Sequence, residues 1–214
     1  LGDVYKRQII TSPIVRMYFK HLTMEQFKKA INESENSKTV MEDLLNSFEV
    51  KPGDVIYIPA KMVHAIGEGC LLLEVQEPSD FTVQPERWCG DYKLSDNEMY
   101  LGLDKDTAME CFDVAKKYPA PLEPVTISDE DGVKYLSFID ERMTTSFTVR
   151  KIELSGGEFS IDNGARIYVV TEGEGKITGD SYEKPIKKGD YFLMPVAAEG
   201  KFKLCLLYTS DAAD

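Results

Sequence analysis

Histidine is scarce in this 214-residue chain, which has two, His21 and His64, and one tryptophan, Trp88. Any metal site built from it therefore has few imidazoles to draw on. Positive charge is short as well: 25 lysines and arginines face 37 acids, a net charge of −12. That balance excludes the basic footprint of a nucleic-acid binder or of a protein seated on an anionic membrane. It leaves room for a small anionic substrate held by a few local cations. Cys70, Cys89, Cys111 and Cys205 show neither CxxC spacing nor a disulfide framework. Reduced thiols and a cytoplasmic setting are expected. The longest apolar run falls far below a membrane span, and no signal-peptide pattern is read. What the chain has in quantity is core-forming material, 43% hydrophobic and 10% aromatic residues, which excludes a disordered polymer.

The most informative stretch is Val50 to Ile66. Pro52-Gly53-Asp54 is a turn signal, with proline setting φ and glycine relieving it. Val55 to Ile58 is a β-rich run, and Pro59 stops it because proline cannot serve a central ladder. After a short corner the chain re-enters strand at Val63 to Ile66. Gly67 and Gly69 then turn it into the apolar run Cys70 to Val75. The reading is strand, corner, strand, turn, strand, with His64 at the inner corner. Ile186 to Pro195 repeats Val50 to Pro59 at a constant offset: Gly189 answers Gly53, Asp190 answers Asp54 and Pro195 answers Pro59. The same offset sets Gly200 opposite His64. Two related β modules follow, one carrying the imidazole and one lacking it.

Around this core the pattern predicts a strand over Ile14 to Phe19 and a helix started by a capping box, Thr23 with Gln26. A second helix is expected over Lys38 to Asn46, then a strand at Phe81 to Gln84 and a helix at Ala108 to Lys116. Residues 9–117 form the first module and 118–131 a proline-rich connector. Residues 132–204 form the second, with strands at Val133 to Phe138, Ser146 to Glu153, Glu158 to Ile161 and Ala165 to Thr171. The ends, 1–8 and 205–214, continue neither neighbouring pattern and read as non-native, so the natural chain is expected to run further in both directions.

The pattern PGD-x-x-x-IPA-x-x-VHAIG followed by LLLE resembles the cupin-type, zinc-dependent class I mannose-6-phosphate isomerases. The likeness runs from about Ile14 to Leu204. It implies a mainly β fold of two cupin-like jelly-roll modules with a short helical excursion before the first motif. It also implies interconversion of mannose 6-phosphate and fructose 6-phosphate through an enediol, with zinc stabilising the developing oxyanion. By the resemblance His64 is a zinc ligand and Glu74 an active-site glutamate. Gln84 stands where the family commonly has an arginine, and glutamine cannot replace a guanidinium in charge stabilisation. Arg87 is the candidate substitute, and Lys61 a candidate phosphate contact. The family's glutamine–histidine pair and its ligand glutamate have no counterpart upstream of His64. This implies an N-terminally truncated copy, inactive alone, whose remaining zinc ligands are missing. The second module is expected to hold no metal and to serve as a structural partner. Bland readings stand beside these: His64 as a core histidine satisfied by a carbonyl, Glu74 as an edge-strand carboxylate in solvent, Arg87 and Lys61 as surface residues. The rival function is a non-catalytic sugar-phosphate-binding or regulatory cupin.

Overall fold

The computed structural model describes residues 13–78, 82–161 and 164–206. The chain divides into two compact units, Leu1–Leu122 and Glu123–Asp214. In the first, β1 (Ile14–Phe19) leads into α1 (Met24–Glu33) and α2 (Val40–Leu44), followed by β2 (Leu45–Glu49) and β3 (His64–Ile66). A two-stranded ribbon, β4 (Trp88–Cys89) and β5 (Tyr92–Lys93), precedes α3 (Asp96–Tyr100) and α4 (Lys105–Met109). Strands β2, β1 and β3 form one antiparallel sheet with β1 in the middle.

The capping box at α1 forms as expected. The Gln26 backbone N–H donates to the Thr23 hydroxyl at 3.2 Å, and the Thr23 N–H donates to the Gln26 side chain at 2.9 Å. Phe27, Ala30 and Ile31 bury one face of α1 against Phe19, Met41, Met99 and Phe112. The remaining helices differ from the sequence pattern. Ser95 and Glu98 make a second capping box that starts α3, a helix absent from the expected elements. The Asp104 carboxylate accepts from the Asp106 and Thr107 N–H groups, starting α4 before Ala108 and leaving it short of Lys116. The helix expected over Lys38 to Asn46 gives way at Leu45, which pairs with Phe19 across β1 and β2.

Two expected strands do not join a ladder. Val55 to Ile58 is flanked by turns but lies outside every sheet, and Cys70 to Val75 runs with Leu71, Leu72 and Leu73 all exposed. Apolar β-formers make a strand only when a partner satisfies their backbone groups, and no described strand stands beside either run. The expected strand at Phe81 to Gln84 falls partly outside the described residues, and 82–84 carry no ladder.

The second unit is strand and turn apart from a 3-10 helical turn, Val196–Ala198. It contains β6 (Val125–Glu130), β7 (Val133–Ile139), β8 (Val149–Leu154), β9 (Glu158–Ser160) and β10 (Arg166–Val169). After these come β11 (Glu174–Gly179), β12 (Tyr182–Lys187), β13 (Tyr191–Met194) and β14 (Lys203–Leu206). Its sheets run β6-β7-β8, β12-β11-β14-β9 and β10-β13. Ile161, Ile177, Ile186, Met194, Ala198 and Leu204 form the core. The strand pattern read for residues 133–171 agrees closely. The connector does not extend to 131, because Val125–Glu130 pairs with β7 and brings the unit's start back to Glu123.

Candidate functional site

The repeated turn is built identically in both units. The Asp54 carboxylate accepts from the Lys51 N–H at 3.0 Å, and the Asp190 carboxylate from the Lys187 N–H at 2.9 Å. Backbone bonds close the same loops, Asp54 N–H to the Lys51 carbonyl at 3.1 Å and Asp190 N–H to the Lys187 carbonyl at 2.9 Å. Gly53 and Gly189 take φ of 92° and 93°, in the left-handed region that favours glycine. The corners repeat too: the Met62 N–H reaches the Pro59 carbonyl and the Ala198 N–H the Pro195 carbonyl. Met62 and Ala198 are both buried beneath these corners.

Strand pairing then carries the comparison past the corner. Val15 on β1 pairs with Phe48 and Ile66, and Ile177 on β11 pairs with Lys184 and Leu204. Since Phe48 and Lys184 hold the same place in the repeat, β1 matches β11, β2 matches β12 and β3 matches β14. The second corner is two residues longer, so Phe202, rather than Gly200, occupies the register of His64. The helical excursion lies between β1 and β2, where the second unit has only the turn at Asp180 and Ser181.

His64 opens β3 opposite Met17, on the sheet face that also carries Val15 and Ile66. Its Nδ1 lies 3.2 Å from the Met62 carbonyl. A carbonyl only accepts, so Nδ1 carries the proton and Nε2 presents a lone pair, with no protein partner among the described residues. The ring is exposed, unlike a core histidine. The corner beneath it is tied down from elsewhere in the unit. The Asp113 N–H donates to the Lys61 carbonyl, the Lys116 ammonium to the Ala60 carbonyl, and the Leu122 N–H to the Val55 carbonyl. Tyr57 meets Tyr118 edge to face at 5.0 Å, and burial, then the neighbouring Tyr118, pushes its phenol up.

The other sequence candidates are dispersed. Glu74 is exposed on the extended run after β3. Gln84 is half-buried, and its N–H donates to the Met99 carbonyl at 2.8 Å. Lys61 is exposed with a φ of 69°. Arg87 is committed elsewhere: it pairs with Glu35 at 2.8 Å and Asp96 at 2.6 Å and donates to the Leu94 carbonyl. These bonds fasten the β4–β5 ribbon to the ends of α1 and α3, so Arg87 is a structural cation. Nothing in the sequence marks that network, whose members are separated by up to 61 positions, from Glu35 to Asp96. Lys93 bonds the same Glu35 carboxylate, and these cations hold it below the usual range.

Among the described residues, no group of three histidine, cysteine, aspartate or glutamate side chains is arranged to hold a metal. A catalytic zinc takes three protein ligands and an open position. The described residues therefore do not make a complete site of that kind around His64. The second unit has an open groove of about 700 Å³ near Tyr182, Lys184, Leu193 and Lys201, with no histidine along it.

Two modules raised on one turn-and-corner template, the first carrying an imidazole at its corner, define a cupin-type β protein. No protein-family model matches the chain. It is 35% identical over 171 residues to mannose-6-phosphate isomerase ManA of Bacillus subtilis, a match covering 76% of this chain and 49% of that protein. A second Bacillus subtilis relative, the putative mannose-6-phosphate isomerase YvyI, is 30% identical over 162 residues, covering 72% and 46%. The crystal structure of a Bacillus subtilis mannose 6-phosphate isomerase superposes with a TM-score of 0.71 at 26% identity, over 91% of this chain and 58% of that one. A phosphomannose isomerase from Salmonella typhimurium shares the fold, with a TM-score of 0.64 at 14% identity, over 92% and 63%. The chain belongs to the mannose-6-phosphate isomerase family. It spans about half the length of the curated relatives it matches.

Proposed function

We propose that this chain is the His64-bearing part of an aldose–ketose isomerase that interconverts mannose 6-phosphate and fructose 6-phosphate. The reading rests on one observation above others: the corner that the family resemblance marks as a ligand position presents an imidazole with Nδ1 bonded to the Met62 carbonyl and Nε2 without a partner among the described residues. A backbone-fixed tautomer of this kind is the usual setting of a metal-binding histidine. The names carried by ManA and YvyI support the substrate class. His64 supplies one ligand of a zinc site whose other donors lie outside the described residues. Bound there, zinc would act as a Lewis acid toward a sugar oxygen. By the family resemblance Glu74, exposed on the run after β3, is the candidate active-site carboxylate, and the exposed Lys61 is a candidate point charge for phosphate.

The test is zinc content and isomerase turnover, measured on this chain and on a fusion carrying the part of ManA that precedes its match to β1. Zinc near one per chain and turnover in the fusion, both lost in His64→Ala, are expected. Equal zinc in the fusion and its His64→Ala variant would remove His64 from the site. Binding of mannose 6-phosphate without turnover would select the non-catalytic reading. That reading has its own support in Gln84, neutral where the family has an arginine, and in Arg87, already held by Glu35 and Asp96.

A further inference from the structure

The second unit keeps an open groove where the first unit has its imidazole corner. The groove, about 700 Å³, runs over β12, β13 and the corner between Pro195 and Phe202. In the repeat these elements answer β2, the run Val55 to Ile58 and the corner that carries His64. Its floor is apolar core: Ile177, Ile186 and Met194 are 2%, 9% and 8% exposed. What stands above that floor is not a copy of the first unit.

Three exchanges make the difference. Phe202 stands at the register of His64, so an aromatic ring takes the place of the imidazole. Gly179 stands at the register of Met17, whose side chain is fully buried in the first unit. A Cβ at Gly179 would come within 2.9 Å of the Phe202 ring, so glycine is what lets the ring lie there. Tyr182 meets that ring edge to face at 5.6 Å. Lys184 stands at the register of Phe48, across the ladder from Ile177. Side chains alternate along a strand, so Tyr182, Lys184 and the buried Ile186 share one face of β12. Lys201 brings a second ammonium from the corner. Both lysines are exposed, and neither pairs with a carboxylate among the described residues. Asp190, which also lines the groove, turns its carboxylate to the Lys187 N–H at 2.9 Å. In a chain of net charge −12, two unpaired cations at an aromatic-walled groove select an anion.

We propose that this groove is a metal-free binding site for a small sugar phosphate. Lys184 and Lys201 hold the phosphate as point charges, and the apolar face of the sugar ring lies against Tyr182 and Phe202. Apolar and aromatic walls with a few placed polar groups are the usual make-up of a small-molecule site. The lining carries no histidine or cysteine, so the groove binds its ligand without a metal donor of those kinds. The choice of a sugar phosphate rests on the isomerase reading, whereas the anion and its aromatic seat rest on the groove itself.

An NMR titration of this chain with mannose 6-phosphate, without zinc and in the His64→Ala background, tests the proposal. The amides of Lys184, Lys201 and Phe202 should shift with a Kd of about 1 mM or tighter. Lys184→Gln combined with Lys201→Gln should weaken that affinity at least about tenfold. Mannose and inorganic phosphate should each bind at least about tenfold more weakly, because each lacks half of the ligand. Absence of shifts at these amides overturns the site. Equal binding of inorganic phosphate overturns it too, leaving an adventitious ion only. So does unchanged affinity in the double variant accompanied by self-association, since Lys184 would then serve to guard the open edge of β12. The readout involves no turnover. Zinc and turnover in the ManA fusion without these shifts would sink the groove alone. Shifts here with no turnover in the fusion would sink the isomerase assignment alone.

Discussion

Lys61 holds a φ of 69°, a conformation that crowds the Cβ of an L-residue, and its carbonyl is pinned by Asp113. Left-handed backbone costs a non-glycine residue about 1–2 kcal/mol, while glycine gives back about 0.5–1 kcal/mol in chain entropy. Lys61→Gly should therefore stabilise the first unit by somewhat under about 1 kcal/mol, read as a higher urea midpoint at unchanged slope. The same substitution would weaken phosphate binding only if the ammonium contacts substrate. Asp140 illustrates a second residue-scale effect, through protonation. Bonds from the Arg142 side chain, then its backbone N–H, hold the carboxyl at about 2 against an ordinary value of 3.8. A carboxyl lowered on folding contributes stability above its unfolded value and loses it as pH falls through its folded value. Between about pH 4 and pH 2 the parent's urea midpoint should fall more steeply than that of Asp140→Asn, and salt should narrow the gap.

Elements were legible wherever the signal was local. The Thr23–Gln26 box, the Pro52-Gly53-Asp54 turn and the strands between Val133 and Thr171 are each written within a few neighbouring residues. Removing the Thr23 cap leaves an N–H at the start of α1 without its acceptor. Thr23→Ala should cost about 1 kcal/mol in the unfolding midpoint, whereas Thr23→Ser should be close to neutral. Strands at Val55 to Ile58 and Cys70 to Val75 were not decided locally. Their composition is that of strands, but a ladder needs two chains, and Leu71 to Leu73 stand in solvent instead. Arg87 misled for a related reason. Its position suggested a substitute for a missing active-site arginine, while Glu35, Asp96 and Leu94 come to it only through the packing of α1, α3 and the β4–β5 ribbon.

At the scale of the whole molecule the repeat was the strongest guide, and it was accurate up to the corner. An ungapped offset matches both turns but sets Gly200 opposite His64, because the two extra residues lie beyond the last shared proline, where no motif marks them. Only the pairing of Val15 with Ile66 and of Ile177 with Leu204 restores the register. Either way the second unit offers no imidazole. The helical excursion between β1 and β2 has a consequence for how such a protein changes over time. Phe19, Phe27, Ile31, Met99 and Phe112 close a core against the helices, and Val63 joins it from the corner, while the His64 ring next to it stands exposed. Substitution of the exposed imidazole itself then costs little in folding, whereas changes at the buried Met62 and Val63 beside it do not. Lineages can exchange or lose that one ring while selection for a stable chain holds the buried residues beneath it.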